Sequence, residues 1–338
     1  MKITICLGTG GVGKTSVSAA TALSLARSGT RALVLTTDPS LRLKTALGLN
    51  DGVTEQRVPN VEGDLWAALL DVNETLDEAV RMNARRGTEQ QILTHDVYRM
   101  IASSLSGMNE LMALERISQL MSHGFQNIVV DTAPSRHVLD VLDKPLLFAD
   151  LSASRKVKLV SRTYKFVEAM GLMNIGRNAI EVYARAEEIL GGKLVKQILE
   201  FYSLFYPVAE AYADRARKTG ELLRDPSVTE FRIVTTPQKA VRDADFFTSE
   251  LNKRNFRANM ICINRAWLRP LDSASREGLA KDIAGWYENV STSHKAAIAQ
   301  VKATFAGSGP KICILEELAR DVDGADALRN LETQLQAC

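Results

Sequence analysis

At 338 residues, with 46% hydrophobic and 24% charged residues, the chain has the make-up of an ordinary soluble globular protein, long enough for one large domain or two smaller ones. A formal net charge of +2 spread along that length gives no case for nucleic acid as a partner. Apolar runs such as Leu65–Leu70 fall far short of the roughly 18 residues of a membrane span, so no transmembrane segment is expected.

The first strand signal begins at Lys2, where Ile3, Ile5 and Leu7 are followed by Gly8-Thr9-Gly10-Gly11-Val12-Gly13-Lys14-Thr15-Ser16. A strand beginning so early predicts no signal peptide and a cytoplasmic chain. The glycine run fits the phosphate-binding pattern G-x-x-x-x-G-K-[ST] without a mismatch. Glycines let the backbone turn tightly and aim several N–H groups at phosphate oxygens, which a Cβ would obstruct. Lys14 supplies a point charge for the outer phosphates, and the Thr15 hydroxyl is placed for Mg²⁺. The Ala- and Leu-rich stretch to Arg27 predicts a helix whose N-terminal dipole adds to the anion site. These features imply nucleoside triphosphate binding.

Arg31–Thr36 (RALVLT) reads as a second buried strand, ending at Asp38 on the edge that carries the phosphate loop. Asp38 is thus either a site residue or an Asp-Pro turn capping a helix over 40–47. A third strand is predicted over 65–72, then a long helical stretch over 75–123 broken at Ser106-Gly107. Asn127–Asp131 (NIVVD) is an apolar strand ending in a carboxylate, the pattern of a Mg²⁺-holding aspartate opposite Thr15. The loop Thr132–His137 after it is a candidate switch for the γ-phosphate.

No strand is expected from Phe148 to Leu223, where three or four helices are read with breaks at Gly171, Gly176, Gly191-Gly192 and Pro207. Its apolar residues, including the cluster Leu199, Phe201, Tyr202, Leu204, Phe205 and Tyr206, fit either a helical layer on the sheet or a surface receiving a partner's helix. Further strands are predicted at 231–235, at 259–264 with Asn264 on the ligand edge, and at 311–315 before a helix over 326–335. The cysteines Cys6, Cys262 and Cys313 lie in these apolar runs, where they should act as small hydrophobes. No C-x-x-C pair argues for a local zinc or redox site.

Together GTGGVGKTS, TTDPSLRLKTALGL, YRMIASSLSGMNELMALERI, VVDTAPSRHVLDVL and MICINR resemble the ArsA/GET3-like ATPases nearly end to end, least over 149–223. The most specific piece is DTAPSRH, which is similar to that family's DTAP-x-x-H loop. The resemblance implies a P-loop NTPase: one domain over 1–338 with a doubly wound, mostly parallel sheet flanked by helices. It also implies an inserted α-helical subdomain from about 74–123 and 148–224. It implies that Gly10, Gly11, Val12, Gly13, Lys14, Thr15 and Ser16 bind the phosphates of ATP and that Thr15 and Asp131 hold Mg²⁺. By the same resemblance Asp38 orients the attacking water, with Lys14 as the other catalytic residue, and Asn264 binds adenine.

Such ATPases close as dimers over ATP and pass closure to a helical layer, which implies a hydrophobic client or partner protein there. Three features depart from the family. Thr9 stands where a lysine usually reaches across the dimer, so the chain is either a slow ATPase or pairs with a lysine-bearing paralogue in a heterodimer rather than a homodimer. Arg42 and Arg136 are candidate substitutes in cis. The zinc-clamping C-x-x-C is missing, and the cysteines offer no arsenite trio, which disfavours arsenite transport. The competing reading is an ATP-binding scaffold with little turnover of its own.

Overall fold

The structure, a computed structural model, describes residues 1–38, 42–49, 54–104, 109–133, 192–270, 281–307, 309–319, 322 and 324–338. Eight strands form one sheet: β1 (Lys2–Leu7), β2 (Arg31–Thr36), β3 (Glu55–Arg57), β4 (Asp64–Leu69), β5 (Asn127–Asp131), β6 (Thr229–Thr235), β7 (Ala258–Ala266) and β8 (Lys311–Glu316). Their order is β3-β4-β2-β5-β1-β6-β7-β8. All neighbours are parallel except β3, which runs antiparallel to β4. Strands buried on both faces need continuous apolar runs, and β5 is buried at every residue. The direction of winding reverses at β1, between β5 and β6, which is where an open parallel sheet leaves a crevice for a ligand.

The helices among the described residues are α1 (Lys14–Arg27), α2 (Arg42–Leu47), α3 (Val72–Asn83), α4 (Glu89–Thr94), α5 (Asp96–Ser104), α6 (Asn109–Ser122), α7 (Gly192–Arg224), α8 (Ala240–Lys253), α9 (Lys281–Thr304) and α10 (Ala325–Gln336). The chain separates into two compact units. One holds the sheet with residues 1–70, 120–133 and 222–338; the other holds 71–119 and 192–221. In the sheet unit, α1 is buried through Val17, Ala19, Ala20, Ala22, Leu23 and Ala26, and α10 packs beside it through Leu328 and Leu331.

The other unit is helical. Phe201 on α7 is buried against His95, Tyr98 and Phe205, with ring centroids 5.2, 6.4 and 5.1 Å away. The buried Glu115 carboxylate meets Arg215 at 2.6 Å, and Arg215 also donates to Asn83 at 2.8 Å. Burial pushes the Glu115 carboxyl upward, and Arg215 opposes that shift.

Three boundaries differ from the sequence reading. The third strand stops at Leu69 because the Asp71 carboxylate accepts the Glu74 N–H at 2.9 Å, capping α3 from Val72. The stretch 75–123 is not continuous: Ala84 is extended and Gly87 has φ 86°, so α3 ends and α4 starts afresh. Pro207 does not break α7, which runs through it for 33 residues. The backbone bond that proline forgoes is outweighed by the buried Phe201, Val208 and Tyr212 on either side. The breaks at Gly171, Gly176 and Ser106-Gly107 lie outside the described residues.

The cysteines also divide. Cys6 and Cys262 are free and fully buried, and burial raises their thiols to about 11 and about 12. Cys313, read as a plain hydrophobe, instead forms a disulfide with Cys338, their Cα atoms 5.2 Å apart. The pairing follows from α10, which returns the chain beside β8 over a separation of 25 residues. Cross-linking a loop of this size restricts the unfolded chain and is worth about 3 kcal/mol. Cys338→Ser should therefore lower the melting temperature by several degrees and make it indifferent to reductant. An unmodified protein that melts alike with and without reductant would contradict the bond.

Candidate nucleotide site

The site lies at the carboxyl edge of the parallel strands, where the chain leaves β1, β2, β5 and β7 within one unit. Gly8 fits against β6 because a Cβ there would run into the Val234 carbonyl oxygen. Gly13, at φ 82°, caps α1 in the left-handed region with no side-chain cap, and the first turn of α1 holds no acidic residue. No capping side chain and no first-turn carboxylate therefore competes with an anion at this helix end. A cavity of about 650 Å³ opens above the loop, within the range of small-ligand pockets.

Gly11, Val12, Gly13, Lys14, Thr15 and Ser16 line that cavity, as do Asp38 and Asn264. Gly10 does not; its carbonyl accepts Lys239 Nζ at 3.1 Å. Asp131 stands behind Thr15, fully buried at the end of β5. Its Oδ2 accepts the hydroxyls of Thr15 at 2.8 Å and Thr36 at 3.1 Å, while Oδ1 is buried without a hydrogen-bond partner. Burial pushes the Asp131 carboxyl above the usual range; the Lys14 charge and the two hydroxyls pull it back, and Asp38 adds to the rise. The Thr36 hydroxyl in turn accepts the Asp38 N–H at 3.2 Å, so one side chain registers both acids.

An orphaned carboxylate oxygen beside a threonine hydroxyl suits a cation that shares its remaining ligands with phosphate and water, as Mg²⁺ does. No cluster of three or more His, Cys, Asp or Glu capable of holding a metal occurs among the described residues.

Asn264 is 6% exposed and donates Nδ2 to the Val12 carbonyl at 3.0 Å, so its amide is tied to the loop as well as facing the cavity. Thr9 donates its hydroxyl to Asp243 at 2.8 Å, a carboxylate that also accepts from Thr235 at 3.3 Å. The Thr9 side chain is thus held by α8 and, through the shared carboxylate, by the end of β6. Asp243, Thr36, Lys239 and Arg265 escaped the sequence reading; a polar turn (TPQK) at the end of β6 and an arginine directly after Asn264 were the available signals. Arg136 and most of the Thr132–His137 loop lie outside the described residues, as does the Arg42 side chain. Of that loop, Thr132 donates its hydroxyl to the Cys6 carbonyl at 2.7 Å, and the Ala133 N–H reaches the Thr37 hydroxyl at 3.0 Å.

The model of one family, anion-transporting ATPase (ArsA ATPase), matches residues 1–337. A putative arsenical pump-driving ATPase of Prosthecochloris vibrioformis is 35% identical over 147 residues, 43% of this chain and 36% of that protein. ATPase get3 of Schizosaccharomyces japonicus is 26% identical over 186 residues, 54% of this chain and 56% of the relative. ATPase GET3C of Arabidopsis thaliana is 26% identical over 277 residues, 76% of this chain and 65% of the relative. In each case the match spans less than two thirds of the relative's length.

The contact between Gly13 and Asn264 makes a direct prediction. A Cβ on residue 13 would both strain a left-handed backbone and collide with Asn264 Nδ2. Gly13→Ala should cost about 2–4 kcal/mol of stability. Adding Asn264→Ala should return part of that loss, measured by denaturant unfolding. Strictly additive losses in the double variant would mean that the two positions do not meet.

Proposed function

The chain belongs to the ArsA family of anion-transporting ATPases, and from that premise we propose that it hydrolyses ATP with Mg²⁺. The observation that carries this reading is the pairing of Thr15 with a buried Asp131 whose second oxygen has no partner, directly behind the lysine of the phosphate loop. Thr15 and Asp131 would hold the metal, which when bound neutralises charge on the phosphate oxygens. Gly10 to Ser16 would bind the phosphates through backbone N–H groups, and Lys14 would offset charge on the transferred group. Asp38, held at the cavity wall by the Thr36 hydroxyl, would orient water for in-line attack on the γ-phosphate. Asn264 would keep its carbonyl oxygen for the adenine edge while its amide stays on Val12. Catalysis of this kind is positioning and charge stabilisation more than covalent chemistry.

Hydrolysis would drive opening and closing of a dimer, homodimeric or formed with a lysine-bearing paralogue. Residues of about 74–123 and 148–224 would make a helical subdomain that handles a hydrophobic client. Half-buried Tyr202, Leu204, Phe205 and Tyr206 on α7 support an apolar contact surface there. No described helix is long and apolar enough to cross a membrane; a cytoplasmic site of action is part of the same proposal, and a Cys313–Cys338 bond that persists in cells would count against it.

One observation favours a second reading. Thr9 is bound to Asp243 and brings no charge to a neighbouring site, so the chain could serve as an ATP-binding scaffold that turns over only beside a lysine-bearing partner. Phosphate release from Mg-ATP, with solution mass measured in parallel, decides between them. We expect turnover that Lys14→Ala abolishes and that Asp38→Asn lowers by about 10²–10³ with ATP binding retained. Tight ATP binding without turnover would select the scaffold.

A further inference from the structure

Four consecutive carbonyls of the phosphate loop are each held by a separate donor. Gly10 O accepts Lys239 Nζ at 3.1 Å, Gly11 O accepts Arg265 Nη1 at 3.5 Å, Val12 O accepts Asn264 Nδ2 at 3.0 Å, and Gly13 O accepts the Val17 N–H at 3.0 Å. The last belongs to α1 itself; the other three come from the ends of β6 and β7. The described peptides are all trans. In a trans peptide the carbonyl and the following N–H point in opposite directions. Holding the carbonyls of residues 10 to 13 therefore fixes the direction of the N–H groups of Gly11, Val12, Gly13 and Lys14, each opposite the carbonyl before it.

Two further features show that the outer donors are built into place. Arg265 adopts φ 61°, a left-handed conformation that is costly for a residue with a Cβ. It sits in a register shift of the β7–β8 ladder between Ile263 and Ala266. Such bulges re-aim a side chain beside a site, and here the arginine also lies 3.9 Å from the Glu317 carboxylate. Lys239 closes the turn after β6, its N–H bonded to the Thr236 carbonyl at 2.9 Å while its own carbonyl takes the Asp243 N–H at 2.9 Å.

We propose that Lys239 and Arg265 are positioning residues that, with Asn264, brace the outer carbonyls of the phosphate loop and so pre-set its amides for a polyphosphate. The proposal rests on the nucleotide reading for its ligand but not for its geometry. An unbraced glycine loop samples many conformations, and the ligand must order it on binding; a braced loop has that ordering done in advance. Both cations also add positive charge around the phosphate end.

Backbone ¹⁵N order parameters in the ligand-free protein test the brace, and Mg-ATP affinity tests its use. Lys239→Met keeps the chain length and removes the donor; Lys239→Arg keeps a donor; Arg265→Met repeats the test at the second position. We expect the order parameters of the 9–14 amides to fall from about 0.85 towards about 0.6 in both Met variants. Both should bind Mg-ATP about tenfold more weakly, with Lys239→Arg close to the unmodified protein. Unchanged order parameters in both Met variants, or a fall spread over β1 and β5, would overturn the brace. If the unmodified protein binds no Mg-ATP, the nucleotide reading falls, while the order parameters still decide the brace.

Discussion

The constraint on which the site depends is the burial of a carboxylate at the end of the most enclosed strand. Asp131 closes β5, whose every residue is buried. A charge there is costly unless its oxygens are met. Two threonine hydroxyls from the neighbouring phosphate loop and from β2 meet one oxygen, and the Lys14 charge offsets burial. The sheet order places these donors: β2 and β1 flank β5, in register at Thr36 and Cys6 opposite Asp131. The second oxygen is left without a hydrogen-bond partner.

The same edge is stiffened from the other side. The strands beyond β1 and the segments that follow them both line the cavity, through Asn264, Arg265, Glu316 and Glu317, and hold its loop, through Asp243 on Thr9, Lys239 on Gly10 and Asn264 on Val12. The reversal of winding at β1 separates two sets of contacts on the loop: Asp131 meets it from β5 on one side, and Asp243, Lys239 and Asn264 meet it from β7 and the segment between β6 and β7 on the other. A loop of glycines, flexible in isolation, is in this way made a rigid surface without losing the conformations that only glycine adopts.

Much of this was legible in the amino-acid order. The parallel strands announce themselves as apolar runs, and the phosphate loop, Asp38, Asp131 and Asn264 each follow one of them at its carboxyl end. What was not legible has physical reasons. β3 is a three-residue edge strand, too short to show a period. α7 passes through Pro207 because tertiary burial outweighs local preference. The bond between Cys313 and Cys338 depends on where α10 returns, which no local pattern encodes. Lys239 and Arg265 act through backbone carbonyls, and a side chain that grips a main chain leaves no motif in the sequence.

If the Thr15–Asp131 pair makes this edge a site for a nucleotide with its metal, calorimetric titration of ATP should depend on both. The titration is made with Mg²⁺ and with chelator, and repeated on Asp131→Asn. Binding should be tighter with Mg²⁺ in the unmodified protein, and Asp131→Asn should lose that gain. Affinity that ignores Mg²⁺, or a Mg²⁺-dependent gain that survives the substitution, would contradict that role of the pair.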